Sequence, residues 1–268
     1  MIDLAPNRSL VQRLAQAGLI AKGVLYSLLG ALAFMAAFHI NGHSTQEADT
    51  SGVLGFIHEQ TGGQLLLGAI AVGLACYSLW RGIQAFGDTE REGRDAKGWA
   101  SRGRYLLSGL AYASLAFAAA RLLFSGSGSS GDQKQQLAQE TLSKPFGAVV
   151  TGIAALVLIG IGVFQFYYAY KEKYLKHVDG DTSATLRLAG KIGYCARGAV
   201  WILLGWLFGK AALSSNAREA GDTSKAFGFL SDGGYGTYLL AVIGAGLLCY
   251  GVFNFIRARH ERPGRGHY

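Results

Sequence analysis

The sequence predicts an all-α integral membrane protein, with six transmembrane helices arranged as three parallel two-helix repeats in a pseudo-threefold bundle. Three observations predict it. Six apolar stretches, around 18–38, 64–84, 104–124, 146–168, 193–213 and 235–257, each reach the roughly 20 residues needed to cross a bilayer. The basic residues fall unevenly between those stretches, and one residue pattern recurs three times along the chain. Composition agrees: half of the 268 residues are hydrophobic, 16% are charged, and 39 glycines stand against three prolines. That balance suits close-packed membrane helices. The runs are too continuous for strands or amphipathic surface helices. Lipid offers no partner to backbone N–H and C=O groups, so such spans must be helical.

The first stretch follows a basic segment, as a signal peptide would, but it is long and recurs twice later, so it reads as a retained first helix. It begins with Gly18, Lys22 and Gly23, then Tyr26 and Gly30. The third stretch answers with Arg104, Ser108, Gly109, Tyr112 and Ala116, and the fifth with Gly193, Arg197, Gly198, Trp201 and Gly205. The second, fourth and sixth stretches share another register. Gly63, Gly147 and Gly236 open them, and Trp80-Arg81, Phe164-Gln165 and Phe253-Asn254 lie near their ends at identical spacing. The connections inside the first and third units also match, 49–57 mirroring 222–230. The chain is therefore one membrane domain, 1–268, with repeats at about 11–87, 97–174 and 186–259.

Orientation follows from Lys and Arg. Nineteen of the 25 lie in the N-terminal segment, the 81–104 and 171–197 connections and the C-terminal tail, and six lie in the other three connections. Both termini are thus expected in the cytoplasm. Each unit leaves and returns to the same side, so the repeats are parallel, unlike the inverted repeats of many transporters. The net charge of +8 is explained by this bias, and no basic stripe with interleaved aromatics indicates a nucleic-acid partner.

The repeated unit, with a basic residue and glycine followed by an aromatic, and the Pro145-Phe146-Gly147 start of the fourth stretch, resembles the bacterial membrane proteins grouped as domain of unknown function 1206. The resemblance runs from about Val11 to Arg259. It implies residence in a bacterial inner membrane and the same three-by-two helix layout, and no reaction. Ser108, where the other copies are basic, and Arg104, where they have glycine, depart from the pattern.

Ionisable residues at membrane depth are the candidate site. Lys22 and Arg197 stand about one turn into the first apolar stretch of their repeats. Arg104 begins the third stretch, and Arg81, Gln165 and Asn254 stand near the ends of the second helices. A pseudo-threefold bundle could gather these six as a ring of donors for an anion or a lipid headgroup. Alternatively the basic side chains snorkel to the interface as anchors, beside a belt formed by Tyr26, Trp80, Tyr167, Tyr168, Tyr174 and Trp201.

All 17 carboxylates lie in connections, tails or span ends, which disfavours proton coupling through a buried acid. His39 and His43 have a ligand-like i, i+4 spacing, but no His-Glu-x-x-His motif accompanies them and no metal is expected. Asp49 and Asp222 read as helix N-caps in the connections. The low-complexity stretch 125–131 reads as a loop. Cys76, Cys195 and Cys249 form no Cys-x-x-Cys pair. Nucleophile elbows and phosphate loops are missing, so neither enzyme activity nor a cofactor is expected. Two function classes follow, beside a third, an intramembrane enzyme, for which the sequence supplies little beyond the basic ring. One is a structural or accessory protein that interacts with anionic lipid or another membrane protein, expected to be a dry bundle. The other is a small channel or carrier, expected to show a continuous axial cavity.

Overall fold

The computed structural model describes residues 8–87, 95–125, 146–175, 184–214, 223–231 and 235–260. Among these, six helices are long and apolar enough to cross a membrane. They are α1 (Arg8–Ala37), α3 (Gly63–Gly87), α4 (Ala96–Ser125), α5 (Gly147–Tyr170), α6 (Ala184–Ser214) and α8 (Gly236–His260). Two short helices, α2 (Thr50–Glu59) and α7 (Thr223–Ser231), sit in the connections within the first and third repeats. The protein is a multi-pass, all-helical membrane protein, and the six long helices contain no Asp or Glu.

Local chemistry sets several boundaries. His39 takes a left-handed conformation (φ 52°) just beyond α1, so His39 and His43 do not share a helical face. His43 Nδ1 meets Glu47 at 2.5 Å instead. Asp49 caps α2 as expected, accepting from the Gly52 amide at 2.6 Å. Asp222 and most of 125–131 lie outside the described residues. Arg102 donates from Nε to the Ala85 carbonyl at 2.6 Å and from Nη2 to that of Phe86 at 3.1 Å. It thereby satisfies terminal carbonyls of α3 from the start of α4.

The first helices of the repeats begin well before their apolar stretches. Lys22 and Arg197 therefore sit near mid-helix in α1 and α6, and not one turn from their starts. Fifteen residues separate Lys22 from Ala37, about 22 Å along the axis. The same rise places Arg197 about 25 Å from the far end of α6, and Arg81 about 27 Å from the start of α3.

The bundle is a ring in the order α1, α3, α4, α5, α6, α8. Its closest interfaces join the second helix of one repeat to the first helix of the next: α3 with α4, α5 with α6, and α8 with α1. Small residues line all three. A Cβ on Gly30 would meet the Gly244 carbonyl at 2.6 Å, and one on Gly205 would meet Ile159 at 2.6 Å. Gly109 packs against Arg81 Cβ, at 3.3 Å, and Ser78 Oγ donates to the Gly109 carbonyl at 2.9 Å. Backbone approach of this kind stabilises helix pairs by dispersion where lipid removes any hydrophobic drive.

The interfaces within repeats are not equivalent. In the first repeat α1 packs on α3 through Gly73, whose Cβ would meet Ala21 Cβ at 2.5 Å, and Gly18, whose Cβ would meet Tyr77 Cβ at 2.5 Å. In the third, α6 packs on α8 through Gly246 against Ala196 at 2.5 Å and Gly193 against Tyr250 Cα at 2.6 Å. The middle repeat has Val157, Leu107 and Arg104 at the corresponding places. Among the described residues, α4 and α5 form no packed interface.

Candidate functional site: a cationic axial cavity

A cavity of about 910 Å³ lies between the long helices. That is within the range of small-molecule sites. It is lined by pseudo-equivalent positions from all three repeats. Lys22, Ser108 and Arg197 form one tier, with Tyr26, Tyr112 and Trp201 a turn further along. Leu29, Leu115 and Leu204 make an apolar tier beyond them. From the second helices come Tyr77, Ile161 and Tyr250, and one to two turns toward the terminal side come Gln84, Tyr168 and Arg257. Thr50 and Thr223, at the starts of α2 and α7, close the far end.

Among the described residues, five cationic side chains line this space, Lys22, Arg81, Arg104, Arg197 and Arg257, with no Asp, Glu, His or Cys. Lys22 is 4% exposed and Arg257 7%. Burying a cation in an apolar medium costs several kcal/mol unless something answers the charge. Here tyrosine answers much of it. Lys22 Nζ donates to the Tyr77 hydroxyl at 3.4 Å. It also stands 5.0, 5.2 and 5.3 Å from the ring centres of Tyr77, Tyr112 and Tyr250, one ring from each repeat. Arg81 donates from Nε and Nη2 to the same Tyr77 hydroxyl at 3.0 and 2.6 Å, and from Nη1 to Gln84 Oε1 at 2.8 Å. Arg197 Nη1 donates to the Tyr250 hydroxyl at 2.7 Å, with its guanidinium 4.5 Å from that ring and 5.2 Å from Tyr26. Cation–π contacts contribute about 2 kcal/mol or more when desolvated.

Of the six residues singled out in the sequence, five line one cavity: Lys22, Arg81, Arg104, Gln165 and Arg197. Asn254 does not. It is fully buried off the cavity, its Nδ2 donating to the Tyr250 carbonyl at 2.6 Å. One turn further along α8, Arg257 takes the cavity-facing place. The aromatic belt also turns inward. Tyr26, Tyr168 and Trp201 line the cavity, Trp80 and Tyr174 are buried, and Tyr167 is exposed. Lys22 is buried in the bundle, and so is not a snorkelling anchor. Arg104 is exposed at the mouth, its guanidinium 5.7 Å from the Phe164 ring across the gap between α4 and α5.

Tyr77, Tyr250 and Arg257 were not singled out from the sequence. The repeat register could have found them, because Tyr77 and Tyr250 precede Arg81 and Asn254 by four residues, and Arg257 follows Asn254 by three.

The chain matches the family described as Domain of Unknown Function (DUF1206) in three segments, 17–88, 104–172 and 192–261. It belongs to that family. The three segments coincide with the three helix pairs. The chain is also similar to the "Uncharacterized protein YxxB" of Bacillus subtilis (strain 168), at 27% identity over 256 residues, covering 94% of this chain and 91% of that protein. No solved structure matches the chain.

Proposed function

We propose that this protein is a lipid-interacting accessory protein of a bacterial inner membrane, with its termini in the cytoplasm, whose axial cavity binds an anionic phosphate- or carboxylate-type group. One observation carries the reading. Lys22, Arg81 and Arg197 converge on a cavity whose lining, among the described residues, offers them tyrosine and amide oxygens and no carboxylate. An anion there would accept charge-assisted hydrogen bonds from Lys22, Arg81 and Arg197, which are about twice as strong as neutral ones. The cation-rich side carrying both termini matches the leaflet where basic pockets meet anionic headgroups.

The test is stabilisation by a soluble headgroup analogue. Glycerol phosphate should raise the melting temperature of the detergent-solubilised protein in a saturable way. The double variant Lys22→Gln/Arg197→Gln should weaken that binding by about 10- to 100-fold, from the loss of two charge-assisted hydrogen bonds. Equal stabilisation of wild type and variant would remove the reading.

The cavity also favours a second reading over a dry bundle. It extends along the axis from Gln84 and Arg257 to Thr50 and Thr223, as a carrier for a small anion would require. Flux of phosphate or a small carboxylate through proteoliposomes, abolished by Lys22→Gln/Arg197→Gln, would support the carrier. Binding without flux would leave the accessory reading.

A further inference from the structure

We infer that the occupant of the cavity is an anionic membrane lipid, which reaches it sideways from the bilayer through a port between α4 and α5. The inference rests on the anion-binding reading above and adds the class of ligand and its route.

The first observation is the exposure of the cavity wall. Among the described residues, every exposed one lining the cavity belongs to α4 or α5. Leu107 is 69% exposed, Val157 54% and Phe164 42%, and each faces both the cavity and the surroundings. The other walls, on α1, α3, α6 and α8, are half-buried or buried. A cavity made only for a soluble ion would gain nothing from an apolar side opening at membrane depth. An acyl chain would, because both lips of the opening are hydrocarbon.

The second observation is why the opening exists. All three repeats keep the small residues that bind one repeat to the next. Only the middle repeat has lost those that bind its own two helices together. Ala21 and Gly73 in the first repeat, and Ala196 and Gly246 in the third, come to 2.5 Å of overlap distance at a hypothetical Cβ. Leu107 and Val157 occupy those two places in the middle repeat, and Arg104 stands for Gly18 and Gly193. With those small contacts replaced, α4 and α5 form no packed interface among the described residues. The same repeat has Ser108 in place of a cation and Ile161 in place of a tyrosine, so at the level of Lys22 and Arg197 its face of the cavity carries no cation. Charge on two sides and an opening on the third fit one amphiphile, with its headgroup on Lys22 and Arg197 and its chain leaving past Leu107 and Val157. Arg104, set over Phe164 at 5.7 Å, spans the mouth on the terminal side and supplies a further cation there.

The experiment uses the full-length protein in nanodiscs of phosphatidylcholine with a minor fraction of phosphatidylglycerol, released into native mass spectrometry to count retained lipids. Wild type should retain one phosphatidylglycerol in preference to phosphatidylcholine. Leu107→Ala/Val157→Gly restores the two small contacts of the other repeats and should lower that occupancy about tenfold. Leu107→Trp, which obstructs the port by bulk instead of closing it, should do the same. Both variants should still be stabilised by glycerol phosphate, which separates the route from the anion site. Unchanged lipid retention in both variants would overturn the port. Glycerol phosphate binding to wild type with no retained lipid would overturn the lipid and leave the anion site standing. A dimer whose interface covers α4 and α5 would also overturn the port. Failure of wild type to bind either probe would instead sink the anion reading underneath.

Discussion

Close approach of α1 and α3 is tested by one matched pair of substitutions, Gly73→Ala and Gly82→Ala, both in α3. Each removes a helical glycine, which by propensity alone stabilises a helix by about 1 kcal/mol. Their surroundings differ. A Cβ at Gly82 meets nothing within 4 Å, whereas one at Gly73 stands 2.5 Å from Ala21 Cβ and 3.1 Å from the Ala17 carbonyl. Carbon atoms rest about 3.5–4.0 Å apart, so α1 and α3 must separate by about 1 Å or more to admit the methyl. Overpacking on that scale costs about 1–3 kcal/mol. Gly82→Ala should therefore be neutral or slightly stabilising, and Gly73→Ala should fall below it by about that cost. For a chain of this size the gap is roughly 2–12 °C in melting temperature. Thermal denaturation in detergent, followed by loss of monodisperse protein on size exclusion, measures it. Equal melting temperatures for the two variants would refute the claim that close backbone approach holds the first repeat together. The account of the α4–α5 opening would fall with it.

Three other outcomes are expected. Gly236→Ala should loosen α7, because the new Cβ would fall on the Leu230 carbonyl; hydrogen exchange across 223–231 should rise, while the equivalent amides of α2 keep wild-type protection. A double-mutant cycle of Arg197→Gln and Tyr250→Phe should show coupling of about 1 kcal/mol or more, since Phe keeps the ring and removes only the oxygen that Arg197 Nη1 reaches at 2.7 Å. Additive effects would mean that this contact contributes nothing. Tyr174, outside the spans, donates to the Arg187 carbonyl at 2.6 Å, and burial, followed by the nearby Glu172 carboxylate, pushes its hydroxyl up to about 12. The unfolded chain loses this proton near pH 10 and the folded protein holds it longer. The stability is therefore intact below about pH 10 and is lost as pH rises toward 12. Melting temperatures across that window should slope less steeply in Tyr174→Phe.

Much of the architecture was legible because bilayer thickness and repetition are both written in residue spacing. Gly63, Gly147 and Gly236 start their helices in the structure as in the register, and Asp49 caps α2. Helix length was less legible. Segments such as 8–17 and 184–192 mix polar and apolar residues, so hydropathy stops where the helix does not. The inward turn of Trp80, Tyr168 and Tyr174 was also hidden, since an aromatic near a span end satisfies a membrane interface and a helical core alike. Asn254 shows the limit of transferring a role across repeats. Its register partners Arg81 and Gln165 face the cavity, while its shorter side chain bonds back to its own helix and leaves that place to Arg257.

The signal for the opening was in the sequence, but only as a difference between copies. A symmetric trimer of repeats would present three cation–tyrosine pairs around a closed axis. This chain keeps two, Lys22 with Tyr77 and Arg197 with Tyr250, each held by glycine and alanine contacts that bring its two helices together. In the third copy the pair becomes Ser108 and Ile161, and the small contacts become Leu107 and Val157. Loss of the pair alone would leave a closed bundle with a weaker charge, and loss of the small contacts alone would expose a tyrosine and a cation to lipid. Both changes fall on the same repeat. A buried positive charge can thus be reached from the bilayer past the apolar lips formed by Leu107 and Val157, the arrangement that a ligand with one charged end and one apolar end requires.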